Sequence, residues 1–269
     1  MACPNFPPYR FSWFRDGCFI AEAMRVAGQR ESAERFLDWG ARVILATPDG
    51  PWDCRYNLDG TRDVSEWPKR QLDGLGLYLL QVRRMGGTRW NDAGACVRRY
   101  LDAHWGDACF DWWEEREGVH ASTLWCLGEG LDSDDVRAEA LRRVDDRLDA
   151  SLLVIGTEEI VARVEEGLVS PSGGVHRHSE DVYFGGGEWL LLTAMLGLAY
   201  VEQGRLDDAR EKLAWVRAHA RPEGLPEQSQ DHLLHPDAYD GWVRKWGPPP
   251  SPLLWSHATE LFLAARLET

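Results

Sequence analysis

Residues 70–82 read RQLDGLGLYLLQV, which on a helix is apolar nearly all round, with two glycines. A helix that is hydrophobic on every side is buried. The next helical stretch, NDAGACVRRYLDAH at 91–104, is amphipathic and charged on one face. Working outward, the same alternation recurs. Residues 11–26 open with FSWFRDG and precede 31–46, where Ala33, Phe36, Leu37, Gly40, Val43 and Ile44 form one apolar stripe. Residues 121–129 are mostly apolar and precede the charged 133–147. Residues 188–202 are mostly apolar and precede the charged 206–220, and the chain closes with a helix running to Leu267. Between these lie a short apolar run and a brief helix over 158–168. The spacing predicts an all-α chain of buried inner helices shielded by one-sided outer ones, an α/α toroid. No β-alternation, low-complexity segment or domain boundary interrupts it, so residues 1–269 read as one domain. Two long loops, 47–67 and 224–250, precede inner helices, which would gather them at one mouth.

Composition narrows the partners. A formal net charge of −14 argues against nucleic acid and anionic membrane, both of which need basic patches. The longest apolar run, 189–200, is too short for a bilayer. Cys3, Cys18, Cys54, Cys96, Cys109 and Cys126 form no CxxC pair and no zinc spacing. Reduced thiols in a cytoplasmic protein are the expectation, with no signal peptide at the N-terminus. Fourteen tryptophans are many for this length, and tryptophan often keeps one edge at a ligand.

The densest chemistry is FDWWEER at 110–116, followed by His120. Three carboxylates, two indoles and a guanidinium within seven positions make either a solvated turn or a site for a polar ligand. Glycoside cleavage needs a carboxylic acid that stays protonated near neutral pH, beside a flat apolar face for the sugar ring. A glutamate against an indole supplies both, because apolar surroundings raise a carboxyl pKa. A second glutamate, Glu227, stands far down the chain in the Gly/Pro-punctuated loop LPEQ. Arg15-Asp16 reads equally as a helix cap with a local ion pair and as a clamp on sugar hydroxyls.

Five separated motifs, in order, carry a resemblance. They are YRFSWFRDG (9–17), WPKRQLDGLG (67–76), FDWWEER with its histidine, RHSEDVYFGGGEW (177–189), and LPEQ (225–228) followed by PLLWSHA (252–258). In these the chain resembles glycoside hydrolase family 15, the glucoamylases, glucodextranases and isomaltose glucohydrolases. The resemblance implies the (α/α)6 barrel. It implies Glu114 as general acid and Glu227 as general base of an inverting, exo-acting α-glucoside hydrolase. Arg15, Asp16 and Arg177 would grip the terminal glucose, Asp111 and Glu115 would flank the acid, and Trp67 and Trp113 would be subsite aromatics. Gln228 and Trp255 would bracket the base, while His257 has no assigned role. Inversion places the two carboxyls roughly 6.5–9.5 Å apart, with a water between. No metal and no organic cofactor is implied, and the partner is a small α-linked glucoside.

Two departures from the pattern matter. The chain begins at the entry motif, so one outer helix is expected to be missing, with apolar flank left on its neighbours. The stretch 153–159 is also shorter than the family's. Short, isomaltose-like glucosides are the favoured substrates, then maltooligosaccharides or trehalose. The alternatives are a non-catalytic sugar-binding relative, a phosphorylase on the same toroid, and a plain helical-repeat protein.

Overall fold

The computed structural model describes residues 1–268. The chain packs as two compact units, Met1–Ala2 with Arg10–Asp145, and Cys3–Tyr9 with the chain from Asp146 onward. Among the described residues, eleven α-helices carry the fold.

The first unit holds α1 (Phe14–Val26), α2 (Arg30–Ala46), α3 (Asp73–Met85), α4 (Asn91–His104), α5 (Ala121–Leu131) and α6 (Asp134–Arg142). The alternation expected from the sequence is present. Helix α3 buries every residue from Asp73 to Gln81, whereas α6 buries only Val136 and Ala140. Helix α3 packs against both α1 and α5, and α2, α4 and α6 lie against this inner row. Helix α6 is shorter than the 133–147 reading. It is capped at its start by Ser133, whose hydroxyl accepts from Val136 N, and it ends at Arg142.

In the second unit lie α7 (Glu158–Leu168), α8 (Leu190–Glu202), α9 (Leu206–Ala218), α10 (Pro236–Trp246) and α11 (Leu254–Leu267). Helix α8 is the inner one. It buries Leu190 through Gly197 and packs on α9 and α11. Each such leucine contributes about 1.5–3 kcal/mol by leaving water. The short stretch near 153–159 is a five-residue 3-10 helix, Ala150–Val154, seated on α7 and α8. Helix α10 corrects the reading of 224–250 as one loop. Its proline in the first turn suits a helix start, and its apolar face, with Tyr239 and Trp242, is only half-buried, Trp242 lying against Tyr183 and Phe184.

Three two-residue ladders sit at the ends of inner helices: β1 (Ser12–Trp13) with β2 (Arg55–Tyr56), β3 (Cys109–Phe110) with β4 (Glu117–Gly118), and β5 (Glu188–Trp189) with β6 (Gln228–Ser229). They are too short to show as sequence alternation. Helices α1 and α8 have no side-chain cap. Their first amides are taken by these loops instead, Phe14 N by the Cys54 carbonyl at 2.9 Å and Leu190 N by the Glu227 carbonyl at 3.2 Å.

Helices α3 and α5 approach closely because both have glycine at the crossing. A Cβ on Gly130 would lie 2.1 Å from the Gly76 carbonyl oxygen, and one on Gly76 would lie 2.4 Å from the Cys126 carbonyl oxygen. Backbone cannot move aside as a side chain can. Gly76→Ala is therefore expected to destabilise the protein by about 1–3 kcal/mol. Gly94→Ala in α4 meets only Leu79 and Val82 side chains at ordinary contact distance, and should stabilise by up to about 1 kcal/mol through helix propensity. Urea unfolding of both variants checks the opposite signs; equal effects would refute the crossing argument.

Candidate active site

The FDWWEER stretch is the tip of the β3–β4 hairpin. Asp111 closes the tip. Its backbone pairs with Arg116, and its Oδ1 accepts from the amides of Glu115 at 2.8 Å and Arg116 at 3.4 Å. Trp112 is buried, and the Glu114 amide donates to the Asp111 carbonyl at 3.1 Å. These contacts hold Glu114 at φ +62°, a conformation costing a non-glycine residue on the order of 1 kcal/mol. The strained residue is the glutamate whose side chain enters the site.

The Glu114 side chain is 4% exposed. Its Oε1 accepts from Trp13 Nε1 at 2.7 Å, Arg55 Nη1 at 3.2 Å and the Cys54 thiol at 3.3 Å. The β1–β2 ladder supplies these donors by setting Trp13 opposite Arg55. Among the described residues Oε2 has no hydrogen-bond partner. Burial pushes the Glu114 carboxyl above the ordinary glutamate value, against the pull of Arg55, the Trp13 bond, Arg15 and Cys54. One oxygen is thus fixed by three donors, and the other is left to carry a proton.

Arg55 was not singled out from the sequence. It is completely buried. It binds Asp63 at 3.0 Å and the carbonyls of Trp67 and Pro68, and its guanidinium lies 4.3 Å over the Trp67 ring. Trp67, expected as a subsite aromatic, therefore stacks on Arg55 with one face and meets Trp13 edge-on. Its sequence signal was faint, one arginine in a loop with Trp52, Tyr56 and Trp67.

Arg15 and Asp16 lie in the first turn of α1, where no side chain caps the helix. Arg15 Nη1 donates to Gln71 Oε1 at 3.0 Å and Asp73 Oδ2 at 3.1 Å, and Nη2 pairs with Asp16 at 3.4 Å. Gln71 and Asp73, both from the WPKRQLDGLG motif, are buried partners that sequence reasoning did not assign. Asp16 Oδ2 is buried without a hydrogen bond among the described residues. Desolvation lifts the Asp16 carboxyl to about 6, with Arg15 opposing and Glu114 and Asp73 adding. Trp113 is half-buried and edge-on to Trp112, and Glu115 is exposed.

In the second unit, Glu227 is 2% exposed. Its amide donates to the Pro250 carbonyl at 2.8 Å, and the next residue, Gln228, enters β6. The Gln228 side chain is spent on backbone, accepting from Gly187 N at 2.9 Å and donating to the Tyr183 carbonyl at 3.3 Å, so it holds the loop beside Glu227. Trp255 is buried in the first turn of α11, next to Ser256, whose hydroxyl donates to the Pro226 carbonyl at 2.9 Å. His257 Nε2 accepts from Leu225 N at 2.9 Å, and burial lowers its pKa, which keeps the ring neutral and able to accept. Arg177 is buried in an ion pair with Asp181, and its guanidinium lies 4.9 Å over Trp189.

Tyr9 was also missed. Its hydroxyl is 2.9 Å from that of Tyr183, and its side chain bonds Glu227. An ionised carboxylate only accepts, so Tyr9 donates to Glu227 and accepts from Tyr183. Burial holds both phenols well above their ordinary pKa, and they stay protonated.

No family model matches the chain. It is 32% identical over 99% of its length to the isomaltose glucohydrolase of Kribbella flavida, of which the match covers 87%. That match spans 335 residues against 269 here, so the relative carries internal segments that this chain lacks. A glycosidase variant solved in complex with glucose superposes with a TM-score of 0.85 at 31% identity, covering 99% of this chain and 91% of that one. A bacterial glucoamylase complexed with acarbose superposes with a TM-score of 0.72 at 18% identity, over 97% of this chain and 49% of that one, a likeness of fold alone. The fold is the (α/α)6 toroid type of glucoamylases. Among the described residues no helix is long and apolar enough to cross a membrane.

Asp16 gives a signed pH prediction. Its folded-state pKa, about 6, lies above the ordinary aspartate value of 3.8, so folding favours the protonated form. It therefore costs no stability below about pH 4, and the cost is complete once pH has risen past about 6. Asp16→Asn removes the charge. It should gain on the order of 2 kcal/mol relative to wild type between pH 4 and pH 7. Urea unfolding at the two pH values measures this; a difference independent of pH would contradict it.

Proposed function

Because the chain belongs to the glucoamylase-type glycoside hydrolases of family 15, we propose that it is an inverting, exo-acting α-glucoside hydrolase. In this reading residues 1–269 act as one catalytic domain. The single observation that carries it is Glu114: a buried carboxyl with a raised pKa, one oxygen fixed by three donors and the other unengaged. That is the state a general acid needs at neutral pH.

Glu114 Oε2 gives its proton to the glycosidic oxygen as the bond from that oxygen to the anomeric carbon breaks. Glu227 takes a proton from a water whose oxygen adds to the opposite face of that carbon. Glucose leaves as the β-anomer, and Glu114 is reprotonated from solvent. Tyr9 holds the Glu227 carboxylate in place with a hydrogen bond, and that bond supports its role as base. Asp16 Oδ2, which meets Arg15 at 3.4 Å but makes no hydrogen bond, accepts from sugar hydroxyls. In this reading Arg177 binds a glucose hydroxyl, and Asp111 acts by shaping the loop. Short α-linked glucosides are the substrate class, isomaltose-like ones first, supported by the likeness to the Kribbella protein.

Proton NMR of the anomeric signals tests the reaction, with isomaltose, maltose and trehalose as substrates. β-Glucose should appear first and α-glucose only later by mutarotation. Glu114→Gln and Glu227→Gln should each lower kcat by about 10²–10⁴-fold. Early α-glucose would overturn the assignment, and binding of glucose with no turnover of any glucoside would favour a sugar-binding protein instead.

A further inference from the structure

We propose that the second unit carries a binding site for one divalent transition-metal cation, Zn²⁺ by the chemistry of its donors, formed by Glu188, His219 and Asp231. One ligand atom from each of these residues lies within 4.8 Å of the other two. The site is separate from the sugar chemistry. Successive strand residues point to opposite faces, so Glu188 leaves β5 on the side away from Trp189 and Arg177.

Glu188 is the first argument. It is completely buried, and its Oε1 accepts from the hydroxyls of both Ser170 and Ser172. Its Oε2 is also buried and has no hydrogen bond among the described residues. A nearby ammonium, that of Lys212, is committed elsewhere, to the Gly173 carbonyl at 2.7 Å. A buried carboxylate needs a cation or a full set of donors, and Glu188 has two donors on one oxygen.

His219 is the second argument. Its ring stacks on Trp215 at 3.9 Å between centroids, and its Nδ1 lies 2.7 Å from the Trp215 carbonyl. A carbonyl only accepts, so Nδ1 bears the proton. Nε2 lies 3.2 Å from Asp231 Oδ2, and a ring with its one proton on Nδ1 turns a lone pair toward that oxygen. A cation seated there would bind both. Zn²⁺ bound to nitrogen and oxygen at about 2.0–2.2 Å in a tetrahedron separates its ligands by about 3.4 Å, close to the spacing seen. An Nδ1–H bound to a backbone carbonyl is also how ligating imidazoles are held. One imidazole with two carboxylates suits Zn²⁺ better than Ca²⁺ or Mg²⁺.

Such an ion would join β5, the end of α9 and the segment after β6. Asp231 is already tied to β6, its amide donating to Ser229 Oγ at 3.2 Å. Because β6 starts at Gln228, beside Glu227, the ion would act as a clasp on the base loop and take no part in bond breaking.

The test uses the full chain treated with EDTA, dialysed, and titrated with ZnCl₂ in a calorimeter, with Tm measured alongside and MgCl₂ as control. One Zn²⁺ should bind per chain and raise Tm by several degrees. His219→Ala and Asp231→Asn change residues at the protein surface and should fold, as circular dichroism can check. Each should weaken binding at least tenfold and abolish the Tm gain. No stoichiometric Zn²⁺ binding, or wild-type affinity in His219→Ala, would overturn the proposal. The first result would leave an ordinary His219–Asp231 ion pair; the second would place the ion elsewhere, for instance at a thiol.

Discussion

The contact between Arg55 and Glu114 sets the chemistry of the first unit. A fully buried guanidinium must be answered by buried anions, and two carboxylates share this one. Asp63 takes the larger part, receiving both Nε and Nη2, while Glu114 receives only Nη1, which also serves the Pro68 carbonyl. The result is unequal. Burial works against both ionised forms, yet Asp63, helped by Ser65 and Arg55, falls below its ordinary value, whereas Glu114 stays above its own. A stronger hold by Arg55 would ionise Glu114 and spoil it as an acid. A weaker one would leave its orientation to the strained backbone alone.

The second unit treats its glutamate differently. Glu227 meets the Tyr9 phenol at its side chain. Its loop is fastened from several sides: Pro250 on the Glu227 amide, Ser256 on the Pro226 carbonyl, His257 on the Leu225 amide, and Gln228 on the 183–187 backbone. Arg177, a buried cation of this unit, pairs with Asp181. Tyr9 gives Glu227 a neutral donor, whereas Glu114 shares part of the Arg55 charge.

Much of the fold was legible because it rests on helical periodicity. The apolar run at 70–82 and the one-sided stretch at 91–104 became α3 and α4 with little change. Helix α10 was not legible, since its apolar face is short, is set between Gly/Pro-rich segments, and is only half-buried. The cap reading of Asp16 at α1 did not hold, because at α1 and α8 alike loops distant in sequence fill that place. The site was legible where residue types cluster, as at Glu114 and Glu227. It was not legible where a residue acts through a fold-made contact. Arg55 reaches Glu114 across 59 positions, and Tyr9 reaches Tyr183 across 174. Asp111 and Gln228, expected to flank the two glutamates, bond backbone in the loops that carry Glu114 and Glu227.

The most direct test of the central claim is the pKa of Glu114 itself. Protein labelled with ¹³C at the glutamate side-chain carboxyls can be titrated by NMR, with Glu114→Gln identifying the signal. The account requires a carboxyl that titrates clearly above the ordinary glutamate value of 4.5 and vanishes in the variant. A Glu114 signal titrating at or below that value would mean that Arg55 and Trp13 hold the anion, and that the proton for the leaving group comes from elsewhere.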